Sequence, residues 1–400
     1  MNSEILNTGN VAFMVITTVL VFFMTPGLAF FYGGLVPKKN SLTMMMYTFI
    51  AIGVVTILWT LGGFSMVFGD DLGGIIGNPA QYFMLQGVDF SINPAYGSTI
   101  PFLMFFMYQL MFAIITAPLM TGAIAGRITI NGWIAILIPW MILIYFPVAH
   151  IVWGGGFLAK MGFVDYAGGT VIHATAGFSA LVGVLYFGKR HVIPKRDYSN
   201  LNLVLVGMAI LLFGWFGFNS GGALASGQTA AIAFTNTGIA AGFATIVWVI
   251  ISYVRDKKYS FVELTTGGVA GLAAITPCSG YVTPQGAVVI GIIAAVVSQC
   301  CLAFSRKMKW DDALGVWGVH GMGGVTGSIL VGIFAAGKVN SISGSGHQFL
   351  IQLLGVSIVI VYTVIVCWFI FKVTDRFFNI RVPKKVQESG LDKEYLTEIE

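Results

Sequence analysis

Charge is what this sequence has least of. Only 9% of its 400 residues are Asp, Glu, Lys or Arg, where an ordinary soluble domain carries about a quarter. A soluble globular class is therefore excluded, and the mean hydropathy of +0.87 points to a polytopic membrane protein. Cysteine is almost as scarce. Cys278, Cys300, Cys301 and Cys367 form no C-x-x-C pair and all lie in apolar segments, so each is expected to be a small core residue. The first ten residues, MNSEILNTGN, hold Glu4 and no Lys or Arg. A cleavable signal peptide needs a basic stretch before its apolar core, so the first apolar segment is expected to be a retained span. A net charge of +5 is too small to call for a nucleic-acid partner. What is abundant is apolar and small: 57% hydrophobic residues and 51 glycines, which let helices approach closely in lipid.

A helical span takes about 20 apolar residues. Segments that qualify are 10–36, 41–69, 100–124, 130–150, 167–187, 200–218, 230–254, 262–276, 284–304, 313–337 and 347–373, the eighth being the shortest. The fold class read from this pattern is an all-α polytopic membrane protein with eleven transmembrane helices. Basic residues accumulate on the cytoplasmic side of membranes. With the N-terminus outside, every Lys and Arg falls inside except Lys160 and Lys338. That set includes Lys38, Lys39, Arg127, Arg190, Lys195, Arg196 and the tail bases, so N-out, C-in follows, and it requires an odd number of spans. Residues 1–375 form the transmembrane domain and 376–400 a cytoplasmic tail too short for a domain of its own. The longest outer link, 70–99, carries Asp70, Asp71 and Asp89 with no basic residue and reads as a solvated loop.

Two segments share a pattern. Asp165, Gly168, His173 and Gly177 in DYAGGTVIHATAG match Asp312, Gly315, His320 and Gly324 in DALGVWGVHGMGG at the same offsets. The first copy opens the fifth span and the second opens the tenth, so they run in opposite senses. This predicts a 5+5 inverted-topology repeat plus a final helix, with a shared site near the midplane. Each His lies eight residues after its Asp, about 12 Å into a helix, so both reach the central third of the membrane. Intramembrane ionisable groups usually face a cavity, a partner or a proton path. Two neutral imidazoles can bond each other and a small polar guest, one donating and one accepting. The plainer alternative is a pair of satisfied histidines pinning two helices. Two His without further ligands at metal spacing do not make a zinc site. Asp165 and Asp312 stand where carboxylates cap helix N-termini. Asp165 is expected to stay near the outer surface, leaving His173 as the buried group. Trp153, in AHIVWGGG, fits either an interfacial aromatic belt or a cation–π site.

DYAGGTVIHATAG resembles the signature of the ammonium transporter (Amt/MEP/Rh) family. So do TPGLAFFYGGLV at 25–36, FAIIT at 112–116, AHIVWGGG at 149–156, GWFGFNSGG at 214–222, AITPCSGYVTPQGA at 274–287 and GVHGMGG at 318–324. These matches run along nearly the whole chain. The resemblance implies a homotrimer in the plasma membrane, each subunit with its own pore and no cofactor. It implies an ammonium recruitment site of Phe112 and Trp153, a stacked gate of Phe112 and Phe218, pore histidines His173 and His320, and Asp165 as a support that does not touch the ion. Ammonia is the species expected to pass, with net charge transfer. Gly222 departs from the serine of many members and removes one hydroxyl acceptor, with Ser220 nearby in sequence. The tail Gly390–Glu400 begins like the family's GLD tail and then diverges. In many members such a tail and the inner loops meet a PII-type signalling protein. The resemblance also leaves room for an ammonium sensor signalling through its tail or a fused domain. A membrane enzyme is disfavoured because no nucleophile–base or metal constellation is present.

Overall fold

The computed structural model describes residues 6–192 and 197–399. Glu4, Lys195, Arg196 and Glu400, which entered the reading above, lie outside the described residues. Every apolar segment marked out from the sequence forms a helix: α1 Thr8–Leu35, α2 Lys38–Phe68, α3 Phe102–Gly122, α4 Ile130–Lys160, α5 Gly169–Phe187, α6 Leu201–Ala223, α7 Gln228–Asp256, α8 Phe261–Ile275, α9 Pro284–Lys307, α10 Trp317–Phe334 and α11 Gly346–Phe377. Ten are long and apolar enough to cross a membrane, and α8, with 15 residues, is shorter. Local chemistry sets several starts. Asn7, Thr129, Ser260, Thr283 and Ser345 each accept a backbone N–H at the first turn of α1, α4, α8, α9 and α11. Ser260 and Glu263 have the spacing of a capping box. Pro284 follows its cap at the first position of α9, where its missing N–H costs nothing.

Among the described residues four helices carry a π turn, a single widened turn with one extra residue: α2 at Trp59–Gly63, α4 at Met141–Tyr145, α5 at Gly169–Ala174 and α10 at Trp317–Gly321. The last two hold His173 and His320. Such turns concentrate at functional positions.

The links gather at two ends. At one end Asn10 bonds Thr99 and Ser226, Tyr166 N donates to the Pro277 carbonyl, and Ala336 N donates to that of Tyr281. This is the Trp153 end. At the other, the basic end, Arg190 makes a two-pronged contact with Asp311 at 2.7 and 3.0 Å, and Arg127 donates to the Asp311 carbonyl. Arg190 is the chief partner holding the Asp311 carboxyl below its ordinary range against the opposing effect of burial.

Two expectations need correcting. Cys278 and Cys367 are buried, but Cys300 is exposed and Cys301 half-buried, because they sit on the outward face of α9. Residues 70–99 are not simply solvated. A two-residue ladder, β1 Asp71–Leu72 with β2 Ile76–Gly77, folds against the end of α4, where Asp71 meets His150 and Lys160. The tail, for which the sequence set no packing expectation, is docked. Asp392, buried, accepts the Leu42 and Thr43 amides at 3.1 and 2.8 Å, capping α2, and Lys39 donates to the carbonyls of Gln387 and Glu388.

Candidate functional site

The two matching segments build the same local structure. Asp165 accepts the amides of Gly168, Gly169, Thr170 and Val171 at 2.7–3.0 Å. Asp312 accepts those of Val316 and Trp317 at 3.0 and 2.9 Å. Between carboxylate and helix the chain must reverse, and it does so through Gly168 at φ 114° and Gly315 at φ 73°. Those angles are costly for any residue with a Cβ. The terminal glycines serve contact between α5 and α10. A Cβ on Gly177 would lie 2.2 Å from Gly321 Cα, and one on Gly324 would lie 2.3 Å from the Gly169 carbonyl oxygen. Each position of the shared pattern thus has a separate physical task.

Asp165 corrects its expectation. It is 5% exposed, not a surface cap. Burial pushes its carboxyl above the ordinary range, and the four amides oppose that shift. Its carboxylate oxygens are occupied by backbone, while its carbonyl oxygen accepts the Trp153 indole N–H at 2.8 Å.

His173 and His320 come together. Their Nδ1 atoms are 3.3 Å apart and their rings lie 26° from parallel. One Nδ1 therefore donates and the other accepts. His173 Nε2 is buried without a protein partner. Above the pair the aromatic residues form a file. Phe112 meets Trp153 edge-on at 6.1 Å and Phe218 at 4.3 Å, and Phe218 lies 6.2 Å from His173. The Phe pair is tilted by 43° rather than stacked face to face, a common offset that relieves repulsion between π faces.

Trp215 was not singled out from the sequence. It stacks on His173 at 5.2 Å and donates its indole N–H to Thr276. The available signal was its spacing from Phe218, which puts both on one helix face. Three spaces follow this file. A vestibule of about 560 Å³ at the Trp153 end is lined by Phe112, Trp153, Asp165, Tyr166, Gly222 and Tyr281. A vestibule of about 380 Å³ at the basic end includes Arg190, Glu263, Arg306, Asp312 and His320. Between them a space of about 20 Å³ is bordered by Phe218, Trp215, both histidines and aliphatic side chains. That is enough for one water-sized molecule.

At Gly222 a Cβ would fall 3.0 Å from the Tyr166 ring and 3.1 Å from its carbonyl oxygen, so the ring crowds the place a serine would take. Ser220 points elsewhere, its hydroxyl donating to the Phe216 carbonyl at 2.6 Å.

The sequence model of the Ammonium Transporter Family matches residues 12–399. An ammonium transporter of Aquifex aeolicus is 43% identical over 97% of this chain and 92% of its own length. Ammonium transporter Amt1 of Archaeoglobus fulgidus is 39% identical over 97% of both chains. Among solved structures, Candida albicans Mep2 superposes with a TM-score of 0.89 at 32% identity, covering 96% of this chain and 88% of its own. A structure described as a sensor Amt protein gives 0.90 at 30% identity, covering 97% and 98%. With these similarities along its length, the chain belongs to the Ammonium Transporter Family, a family of multi-pass membrane transporters of ammonium and not of enzymes.

Proposed function

We propose that each subunit takes ammonium at the Trp153 end, removes its proton near Phe112, and passes ammonia along the histidine pair, with the proton crossing as well. The observation that carries this reading is the continuous file Trp153–Phe112–Phe218–His173–His320 ending in a space for one small molecule. A full charge is costly to bring into the membrane. Aromatic faces compensate for part of that cost at the mouth. Potassium cannot shed its charge, whereas ammonium can: one N–H bond breaks, the electron pair stays on nitrogen, the proton passes to solvent water in the vestibule at the Trp153 end, and neutral ammonia moves on. His173 Nε2 is the free polar atom that meets it, and the bonded Nδ1 atoms offer a route for the proton. Trp153 and Phe112 form the recruitment site, Phe112 and Phe218 the gate, and Asp165 fixes the turn behind Trp153 without touching the ion.

The setting we propose is a plasma-membrane homotrimer with eleven crossings, α8 included, N-terminus outside and C-terminus inside. In it α1–α5 and α6–α10 are inverted repeats, α11 is an addition, and 376–400 is the cytoplasmic tail. A PII-type protein is the proposed partner at the basic end. The test is a current measurement on purified protein in liposomes on a solid support. An ammonium pulse should give a current and a potassium pulse little. Equal currents would refute the selectivity, and none would refute the electrogenic cycle. A second reading, an ammonium sensor, is favoured by the likeness to a protein described as a sensor Amt and by the docked tail. It predicts ammonium binding without current.

A further inference from the structure

The His150 ring has an acceptor on each side. Nδ1 lies 2.7 Å from the Val67 carbonyl oxygen and Nε2 lies 3.0 Å from Asp71 Oδ1. A carbonyl oxygen can only accept, so Nδ1 carries a proton. Asp71 also accepts the Gly74 amide on Oδ1 at 2.7 Å and the Lys160 ammonium on Oδ2 at 2.5 Å. That set of donors calls for an ionised carboxylate, so Nε2 carries a proton too. Two N–H groups make the ring an imidazolium. Its buried charge is tolerable because it is paired and hydrogen-bonded on both nitrogens. Lys160 first, and His150 second, hold the Asp71 carboxyl at about 2. No other charged group among the described residues competes for the ring. Asp70 bonds the Gln81 amide, and the Asp165 carboxylate is taken by its own turn.

The chain beyond His150 folds back over this ring. The Gly154 and Gly156 amides both donate to the His150 carbonyl, at 2.9 and 3.1 Å, and Phe157 N donates to the Gly74 carbonyl at 2.9 Å. A Cβ on Gly154 would lie 1.9 Å from the Val67 carbonyl oxygen and 2.5 Å from His150 Nδ1. Trp153 sits in this turn, one residue before the contact, with its indole fixed at the far side on Asp165.

We infer that His150, held as an imidazolium between Val67 and Asp71, is a positioning residue for Trp153, tying the 71–77 ladder to the turn that presents the indole. The inference rests on Trp153 being the recruiting aromatic of the proposed site.

The experiment uses the full chain, labelled with nitrogen-15 at histidine and tryptophan, in lipid nanodiscs and in liposomes. The imidazole signal lost in His150→Gln should show two protonated ring nitrogens in the parent protein. In Asp71→Asn, whose amide can donate to Nε2, it should show one protonated and one bare nitrogen. The indole signal assigned with Trp153→Phe should shift in Asp71→Asn. In current measurements both His150→Gln and Asp71→Asn should raise the half-saturating ammonium concentration by about threefold, the equivalent of about 0.65 kcal/mol, with maximal current retained. A bare nitrogen on His150 in the parent protein, or an unmoved indole signal in Asp71→Asn, would overturn the inference. Absence of any ammonium current from the parent protein would instead count against the transport reading, and the spectra would still decide the state of His150 and its link to Trp153.

Discussion

The segments 165–177 and 312–324 use the same four residues for the same tasks, yet their surroundings differ. Asp165 is buried and holds four amides, whereas Asp312 is half-buried and its side chain holds two. His173 is closed in by Trp215 and Phe218, whereas His320 lines the vestibule at the basic end. Trp153, Phe112 and Phe218 stand before His173, whereas the vestibule beside His320 is bordered by Phe31, Tyr32 and Trp310, and among the described residues the only ring paired with His320 is that of His173. The difference teaches that the pattern encodes a backbone device for placing a histidine, while the surroundings of each histidine are set by what is packed around it. His173 is enclosed, and His320, though also buried, borders a vestibule.

The largest effect should come from the carboxylates. Asp165→Ala leaves four buried amides unpaired and should lower stability by about 3 kcal/mol or more, against about 1–2 kcal/mol for Asp312→Ala. Thermal unfolding in detergent measures both, and equal losses would erase the contrast between the copies. Next come the histidines. His173→Ala opens the enclosed segment and should reduce the ammonium-over-potassium current ratio by about tenfold, a loss of about 1.4 kcal/mol of discrimination. His320→Ala, already facing a vestibule, should reduce it less, and a larger effect there would reverse the assignment. Trp153→Leu should raise the half-saturating ammonium concentration by about fivefold, the scale of one cation–π contact, while leaving the unfolding temperature nearly unchanged. The smallest change is expected for Gly222→Ser. Its Cβ must displace the Tyr166 ring by a few tenths of an ångström, costing about 1 kcal/mol. If Gly222→Ser tightened half-saturation without loss of stability, the crowding argument would fail.

The spans were legible because lipid demands long apolar helices, and the histidines because an ionisable group in such a helix stands out. The D-x-x-G-x-x-x-x-H-x-x-x-G spacing announced a repeated device but not its mechanism. Nothing in the letters says that Gly168 and Gly315 reverse the chain or that Gly177 meets Gly321 across the interface. The burial of Asp165 is not legible, because a helix start in the letters does not say whether solvent or protein surrounds it. Its turn is instead covered by neighbouring links, with Tyr166 N bonded to Pro277 and Trp153 bonded to Asp165 itself. Trp215 is not legible because a Trp in an apolar span is ordinary, and only the fold brings it against His173. Asp71 was read as loop charge because its partners, His150 and Lys160, are about eighty and ninety residues away in sequence.

The π turns have a consequence for how this chain tolerates change in length. Each is a helix with one residue too many, and two of the four sit at the histidines. Deleting a single residue from 169–172 would restore an ordinary helix and relieve the irregularity, but it would also swing everything before the cut by about 100° relative to everything after it. Asp165 would lose its amides or His173 would leave the file. A lineage could therefore trade side chains along these helices freely in lipid, while a one-residue deletion at either histidine would be lethal to the pair unless the opposite copy changed with it.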